Sequence, residues 1–237
     1  QYVAFADKCW PAFPSQFGFE PCYVNSRLVS RGIPVACEVD IYGALSEYIG
    51  MCASDDTVTL LDINNSVPKY IYDEDIVGKY GYKLTDTFMG FHCGNTPQCK
   101  MCSNRKIKYQ LIQNRLLENC GEPDFTRGTL EGDIAASDIT FYRLQCDSQG
   151  VLRSYIAEGE VLDVPTRSFG GIGIFAIPEM GRFYRHVLIQ KGYPHHGAVA
   201  FSHVGKTLFE VFKYLGVKDI AYNQPKSLPY PTENPFA

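Results

Sequence analysis

Between Gly32 and Asn65, two short β-branched runs, Ile33 to Glu38 and Thr57 to Ile63, flank a segment whose apolar residues Ile41, Ala44, Leu45, Tyr48 and Ile49 recur at helical spacing. A strand, a helix and a strand of this length predict a right-handed crossover. Its two strands run parallel and open their carboxyl ends on one side of a sheet. Ligands of open parallel sheets bind at that edge. Glu38 closes the first strand and Asp62 the second, so two carboxylates are expected there from separate elements. A third apolar run, Leu84 to Phe91, ends in His92 and extends the set if it joins the same sheet.

The pattern changes near residue 125. From Ile134 to Val164 apolar and polar residues alternate around a Cys-Asp-Ser-Gln-Gly turn, which predicts an antiparallel hairpin. The expected fold class is therefore α/β in two domains. A parallel, Rossmann-like sheet domain covers residues 1–125, and a mostly antiparallel, barrel-like β domain with a late helix covers 126–237. That helix is expected over Gly197 to Leu215, starting at or just after the pair His195 and His196, and another over Ile107 to Leu117, stopped by Gly121 and Pro123. The tail from Gln224, with four prolines, reads as an extended arm.

At 237 residues with 45% hydrophobic content, the chain buries a real core. A net charge of -4 with scattered Lys and Arg gives no footprint for nucleic acid or an anionic membrane, and no apolar run reaches the length of a membrane span. Nine cysteines, an odd number in a chain too large to need disulfide staples, read most simply as reduced thiols in a cytoplasm. The start without Met and the apolar opening read as a piece of something longer, with surface that the rest or another subunit covers.

Glu38, Asp62 and His196 form an oxygen and nitrogen donor set suited to a hard or borderline divalent ion such as Mn²⁺. Three protein ligands leave coordination positions open, which is the mark of a catalytic site. The plain alternative is that each carboxylate only caps the helix after its strand. His92 reads either as a further ligand or as a hydrogen-bonded structural residue, and is placed with the substrate-binding candidates. His195 cannot easily share an ion with its neighbour His196 and is assigned to substrate, while Glu131 and Arg167, on polar loops, are candidates for contact with a sugar hydroxyl. His186 and His203 read as packing residues. Cys93, Cys99 and Cys102, with Cys120 beyond, approach a zinc pattern without its two-by-two spacing. Gly170 to Gly173 lacks the lysine of a phosphate loop, so nothing calls for an organic cofactor.

Three separated segments, Ala36-Cys-Glu38-Val-Asp, Leu61-Asp62-Ile-Asn and His195-His196-Gly-Ala-Val-Ala-Phe-Ser-His203-Val-Gly205, together resemble the L-fucose isomerase family, within the L-fucose and L-arabinose isomerase group. The 24-residue separation of Glu38 and Asp62 is similar to that of the family's metal carboxylates, and the histidine segment places the metal histidine at His196. The stretch Glu158-Gly-Glu160-Val-Leu-Asp-Val-Pro165 is similar to the family's late β region. The resemblance implies a chain about half the family's length, lacking its amino-terminal half, and a homo-oligomer whose neighbouring subunits complete the site. It also implies an aldose-ketose isomerase acting on a small sugar through an enediolate, with Glu38 and Asp62 as proton-transfer groups. The competing readings are another metal-dependent sugar enzyme, an aldolase or hydrolase, and a non-catalytic, metal-stabilised sugar-binding module.

Overall fold

The computed structural model describes residues 2–112, 124–234 and 236. Two strands, β1 (Phe5–Ala6) and β2 (Val35–Ala36), pair in parallel as a small ribbon, with helices α1 (Ala12–Phe17) and α2 (Cys22–Val29) between them. Helix α3 (Ile41–Ser54) leads into β3 (Val58–Asn65), a short helix α4 (Lys69–Ile71) and β4 (Thr87–His92). Strands β5 (Lys106–Ile112), β6 (Asp124–Asp133), β7 (Ser137–Cys146), β8 (Leu152–Val161) and β9 (Gly171–Ala176) follow. The described elements end with α5 (Met180–Phe183), β10 (His196–Ala200), α6 (Gly205–Tyr214) and β11 (Asp219–Tyr222). No described helix is long and apolar enough to cross a membrane.

The large sheet has the order β11-β8-β7-β10-β3-β4-β9-β6-β5, and a further pairing of β8 with β9 closes it. Strands β8, β7, β10, β3, β4 and β9 thus form an antiparallel ring, in which no ring strand is left as a free edge. Each ring strand sends a residue into one buried cluster: Leu61, Phe88, Phe141, Tyr155, Phe175 and Val199. Phe88 stacks on Phe175 at 5.3 Å between centroids and meets Phe141 at 5.8 Å, so the aromatic rings fill the barrel. Each such side chain, fully buried, contributes about 1.5–3 kcal/mol. Glycine makes room for them. A Cβ on Gly197 would overlap the Phe141 ring, and one on Gly90 the Phe175 ring.

The outer wall is covered as well. Tyr142, Leu144, Ala198 and Ala200 pack with Ile49 of α3 and with Leu208 and Phe212 of α6, while Met89, Ile172 and Ile174 pack with Val67, Ile71 and Ile76.

This architecture corrects three expectations. First, the strand-helix-strand segment is not a parallel crossover: β2 pairs with β1, whereas β3 lies antiparallel between β4 and β10. In sequence, a strand buried on both faces looks the same whether helices cover both sides or a barrel interior covers one. Strands from both sides of residue 125 share this sheet. Second, Lys106–Ile112 is a strand where a helix over Ile107 to Leu117 was expected, and residues 113–123 lie outside the described residues. Ile107, Tyr109 and Leu111 alternate with Lys106, Lys108 and Gln110, a period of two inside the apolar count. Third, the late helix begins at Gly205, because His196–Ala200 forms β10. The hairpin of β7 and β8 stands as expected, its turn held by Asp147 Oδ1 accepting from the backbone N–H of Gln149 and Val151 at 2.8 and 3.0 Å.

Candidate functional site

Register, rather than a shared strand end, brings the first two site residues together. His196 opens β10 directly opposite Asp62 of β3, so both side chains lie on the face that carries Leu60 and Ala198. Helix α3 packs on that face, and the loop that precedes it supplies Glu38 and Asp40. Glu38 and Val39 both have left-handed backbones, with φ of 61° and 58°, which is strained for a β-branched residue and is a recurrent feature of functional loops. Asp40 then starts α3, its Oδ1 accepting from the Gly43 N–H at 2.8 Å.

His196 sits at the centre. Its Nε2 lies 3.1 Å from Asp62 Oδ1 and 3.5 Å from Glu38 Oε2, and its Nδ1 lies 2.9 Å from Asp40 Oδ2. An ionised carboxylate only accepts, so Nδ1–H donates to Asp40, and that bond fixes the ring with Nε2 toward Glu38 and Asp62. Arg143 of β7 grips the same Asp40 through both oxygens, at 2.7 and 2.8 Å. Burial opposes ionisation of Asp40, but His196 and Arg143 outweigh it and hold the carboxyl well below the usual range. The His196 bond also lowers Glu38, so both are ionised at neutral pH. Burial alone would make His196 a weaker base, yet its bonds to Asp40, Asp62 and Glu38 push it up to about 11.

The other expected residues are placed unequally. His92 is buried, its ring centroid 6.3 Å from that of His196. Its Nδ1 accepts the Cys93 backbone N–H at 3.0 Å, and burial lowers its basicity, so it is neutral with the proton on Nε2. Its Nε2 is buried without a hydrogen-bond partner among the described residues. His195 is exposed, its Nε2 3.8 Å from Asp62 Oδ1. Contrary to the expectation that it cannot easily share an ion with His196, Asp62, His195 and His196 offer ligand atoms all within 4.8 Å of one another, a group that does not include Glu38. Glu131 is not brought into this group. It lies on β6, two strands across from His92 through the pairs Gly132 with Gly171 and Gly171 with His92, and its Oε2 meets Lys108 at 2.9 Å. Arg167 is occupied by Glu74 and Asp75 at 3.1 and 2.8 Å. His203 Nε2 bonds the Gly159 carbonyl at 3.0 Å, and His186 stacks on Tyr230, as expected of packing residues.

Among the described residues, Cys93, Cys99 and Cys102 do not form a metal-ligand group, and Cys120 lies outside them. The eight described cysteines are free thiols.

Two site residues were missed in the sequence. Asp40 carried a legible signal only as a helix cap, and Arg143 only as a charge inside an apolar strand.

The donor set fits a divalent cation. Asp62 Oδ1 and His196 Nε2 are buried and face each other at 3.1 Å, with the half-exposed Glu38 carboxylate 3.5 Å from the same nitrogen. Without the Nε2 proton these are acceptors facing acceptors, and buried acceptors in that state are unfavourable unless something else, such as a cation, engages them. Two oxygens and a nitrogen suit Mn²⁺ or a similar ion, and Asp40 behind His196 is the carboxylate that commonly orients a metal-binding imidazole.

Residues 90–222, more than half of the chain, match the family described as "L-fucose isomerase, C-terminal domain". Among curated relatives, the sulfoquinovose isomerase of Alkalicoccus urumqiensis is 26% identical over 215 residues, covering 88% of this chain and 42% of its own length. That of Priestia megaterium is 26% identical over 229 residues, covering 92% and 44%. That of Clostridium sp. is 27% identical over 178 residues, covering 74% and 34%. The chain thus spans less than half the length of these relatives. His92, His195 and His196 lie inside the matched segment, and Glu38 and Asp62 precede it. The chain belongs to the L-fucose isomerase family, its residues 90–222 matching that family's carboxyl-terminal domain.

Proposed function

We propose that this chain carries the metal and proton-transfer groups of an aldose-ketose isomerase that works through an enediolate. The observation that carries the reading is the approach of Glu38 Oε2 and Asp62 Oδ1, from a loop and a neighbouring strand, to the one buried nitrogen His196 Nε2, at 3.5 and 3.1 Å. Glu38, Asp62 and His196 would hold a divalent ion, Mn²⁺ being the first choice for this donor set. When bound, such an ion supplies Lewis-acid polarisation of the sugar carbonyl.

The chain's own residues divide the remaining work. Glu38 is the better placed base: its side chain is 53% exposed against 17% for Asp62, and the His196 bond keeps it ionised. It takes the proton from carbon 2, and the enediolate is reprotonated at carbon 1 by the same carboxyl or by Asp62. Positioned proton transfer of this kind is worth about 10²–10⁴-fold. His92 offers its Nε2–H to a substrate oxygen, and His195, exposed at the rim beside Asp62, contacts the outer part of the sugar. The curated relatives are named for sulfoquinovose, and we count that sugar with L-fucose and L-arabinose among the candidates to test.

The test is solvent-deuterium exchange at carbon 2 of these aldoses, with Mn²⁺ added. Exchange by the wild-type chain that Glu38→Gln reduces at least about 100-fold, with the fold intact by circular dichroism, is the expected result. Near-normal exchange in Glu38→Gln removes the base from this assignment, and Mn²⁺ and sugar binding with no exchange identifies a binding module instead.

A further inference from the structure

A second group of ligand-type side chains includes Cys37, the residue before Glu38. Asp7 follows β1, Cys37 follows β2, and Cys9 lies two residues beyond Asp7. The ribbon holds them in register. Asp7 N–H donates to the Ala36 carbonyl and Val39 N–H to the Asp7 carbonyl, each at 2.9 Å. A carboxylate oxygen of Asp7 and the two sulfurs all lie within 4.8 Å of one another. For a tetrahedral zinc-type ion, two thiolates sit about 3.8 Å apart, so side-chain rotation alone closes the set.

An independent observation points the same way. Asn25, buried on α2, donates its amide to Asp7 Oδ2 at 2.7 Å and lies 3.8 Å from Cys37 Sγ. Asp7 Oδ1 is left buried and without a partner among the described residues. A ligating carboxylate is commonly held in this way, one oxygen bonded by a neighbouring donor and the other free for the ion.

We infer that Asp7, Cys9 and Cys37 form a second metal site, of zinc type, that ties the amino-terminal ribbon to the loop carrying Glu38. Two thiolates and a carboxylate select a softer ion than the oxygen and nitrogen set beside it. On binding, both thiols release their protons to solvent, and water completes the coordination through the partly exposed side of Cys9. Because Cys37 precedes Glu38, the ion would fix the left-handed turn at Glu38 and Val39. The inference goes beyond the isomerase reading, and thiolate chemistry makes its failure distinguishable from failure of that reading.

The test is Co²⁺ titration of the full chain under reducing conditions, read by sulfur-to-cobalt charge-transfer absorption, which an oxygen and nitrogen site does not produce. The wild-type chain and His196→Gln are expected to show the band and to lose it on addition of Zn²⁺. Cys9→Ser is expected to lack it, and Asp7→Asn to bind at least about tenfold more weakly. Absence of the band from the reduced wild-type chain, its persistence in Cys9→Ser, its loss in His196→Gln, or unchanged affinity in Asp7→Asn would each overturn the site as drawn.

Discussion

Asp40 serves three partners at once, capping α3 through Gly43, accepting both arms of Arg143 and holding His196 by its Nδ1–H. Replacing it with Asn keeps the shape but removes the charge that fixes the imidazole, so Asp40→Asn is expected to weaken divalent-metal affinity about 10–100-fold, as measured by calorimetry. Protonation is coupled to the same ring. His196 is held protonated up to about 11 by Asp40, Asp62 and Glu38 against the effect of burial. An ion bound at Nε2 must displace that proton. Affinity therefore rises with pH, by up to tenfold per unit while His196 remains protonated in the metal-free chain, and about one proton is released per ion near neutral pH. Titrations in buffers of different ionisation enthalpy measure that release, and an affinity independent of pH would contradict it. At this scale chemistry and spacing in the sequence pointed to Glu38, Asp62 and His196, which the fold brings side by side. The sequence was silent on Asp40, whose cap signal gave no hint of a second role. It misled on Glu131, because a residue taken for a loop sits in β6 against Lys108.

At the scale of elements, the site depends on how closely α3 approaches the barrel, since Asp40 caps its first turn. Gly50 permits that approach: a Cβ there would overlap the Tyr142 hydroxyl, whose own bond goes to the Ser46 carbonyl at 2.9 Å. Helix propensity alone says Gly50→Ala should gain about 1 kcal/mol. Overpacking opposes it at about 1–3 kcal/mol, and with the Tyr142 bond also displaced the net expectation is a loss of about 1–2 kcal/mol in denaturant unfolding. A stabilised variant would show that the helix can move off the wall without penalty. The periodicities of α3 and of the hairpin β7–β8 were legible because one face of each repeats cleanly. Strand β10 was not, because Gly197-Ala-Val-Ala is buried on both faces and runs straight into the helical spacing of α6.

For the whole molecule, the organising event is closure of the ring by β8 and β9, which places β3 at the junction of the barrel interior and the α3 layer. That closure joins residues near 160 to residues near 175 and, through β4 and β3, to the first third of the chain. Pairings of this range leave little trace in local pattern. The presence of a barrel was readable from the alternation after residue 134, but membership of β3 and β4 in it was not. The consequence for function is that Asp62 and His196 face each other by antiparallel register, with Glu38 brought over them by a strained loop. The measurement that tests this arrangement most directly is Mn²⁺ stoichiometry and affinity in the wild-type chain and in Glu38→Gln, Asp62→Asn and His196→Gln, each checked for an intact fold by circular dichroism. The account predicts one Mn²⁺ held through these three residues, with each substitution reducing affinity by at least about tenfold. Binding left unchanged by all three substitutions, or no Mn²⁺ bound by the folded wild-type chain, would contradict it.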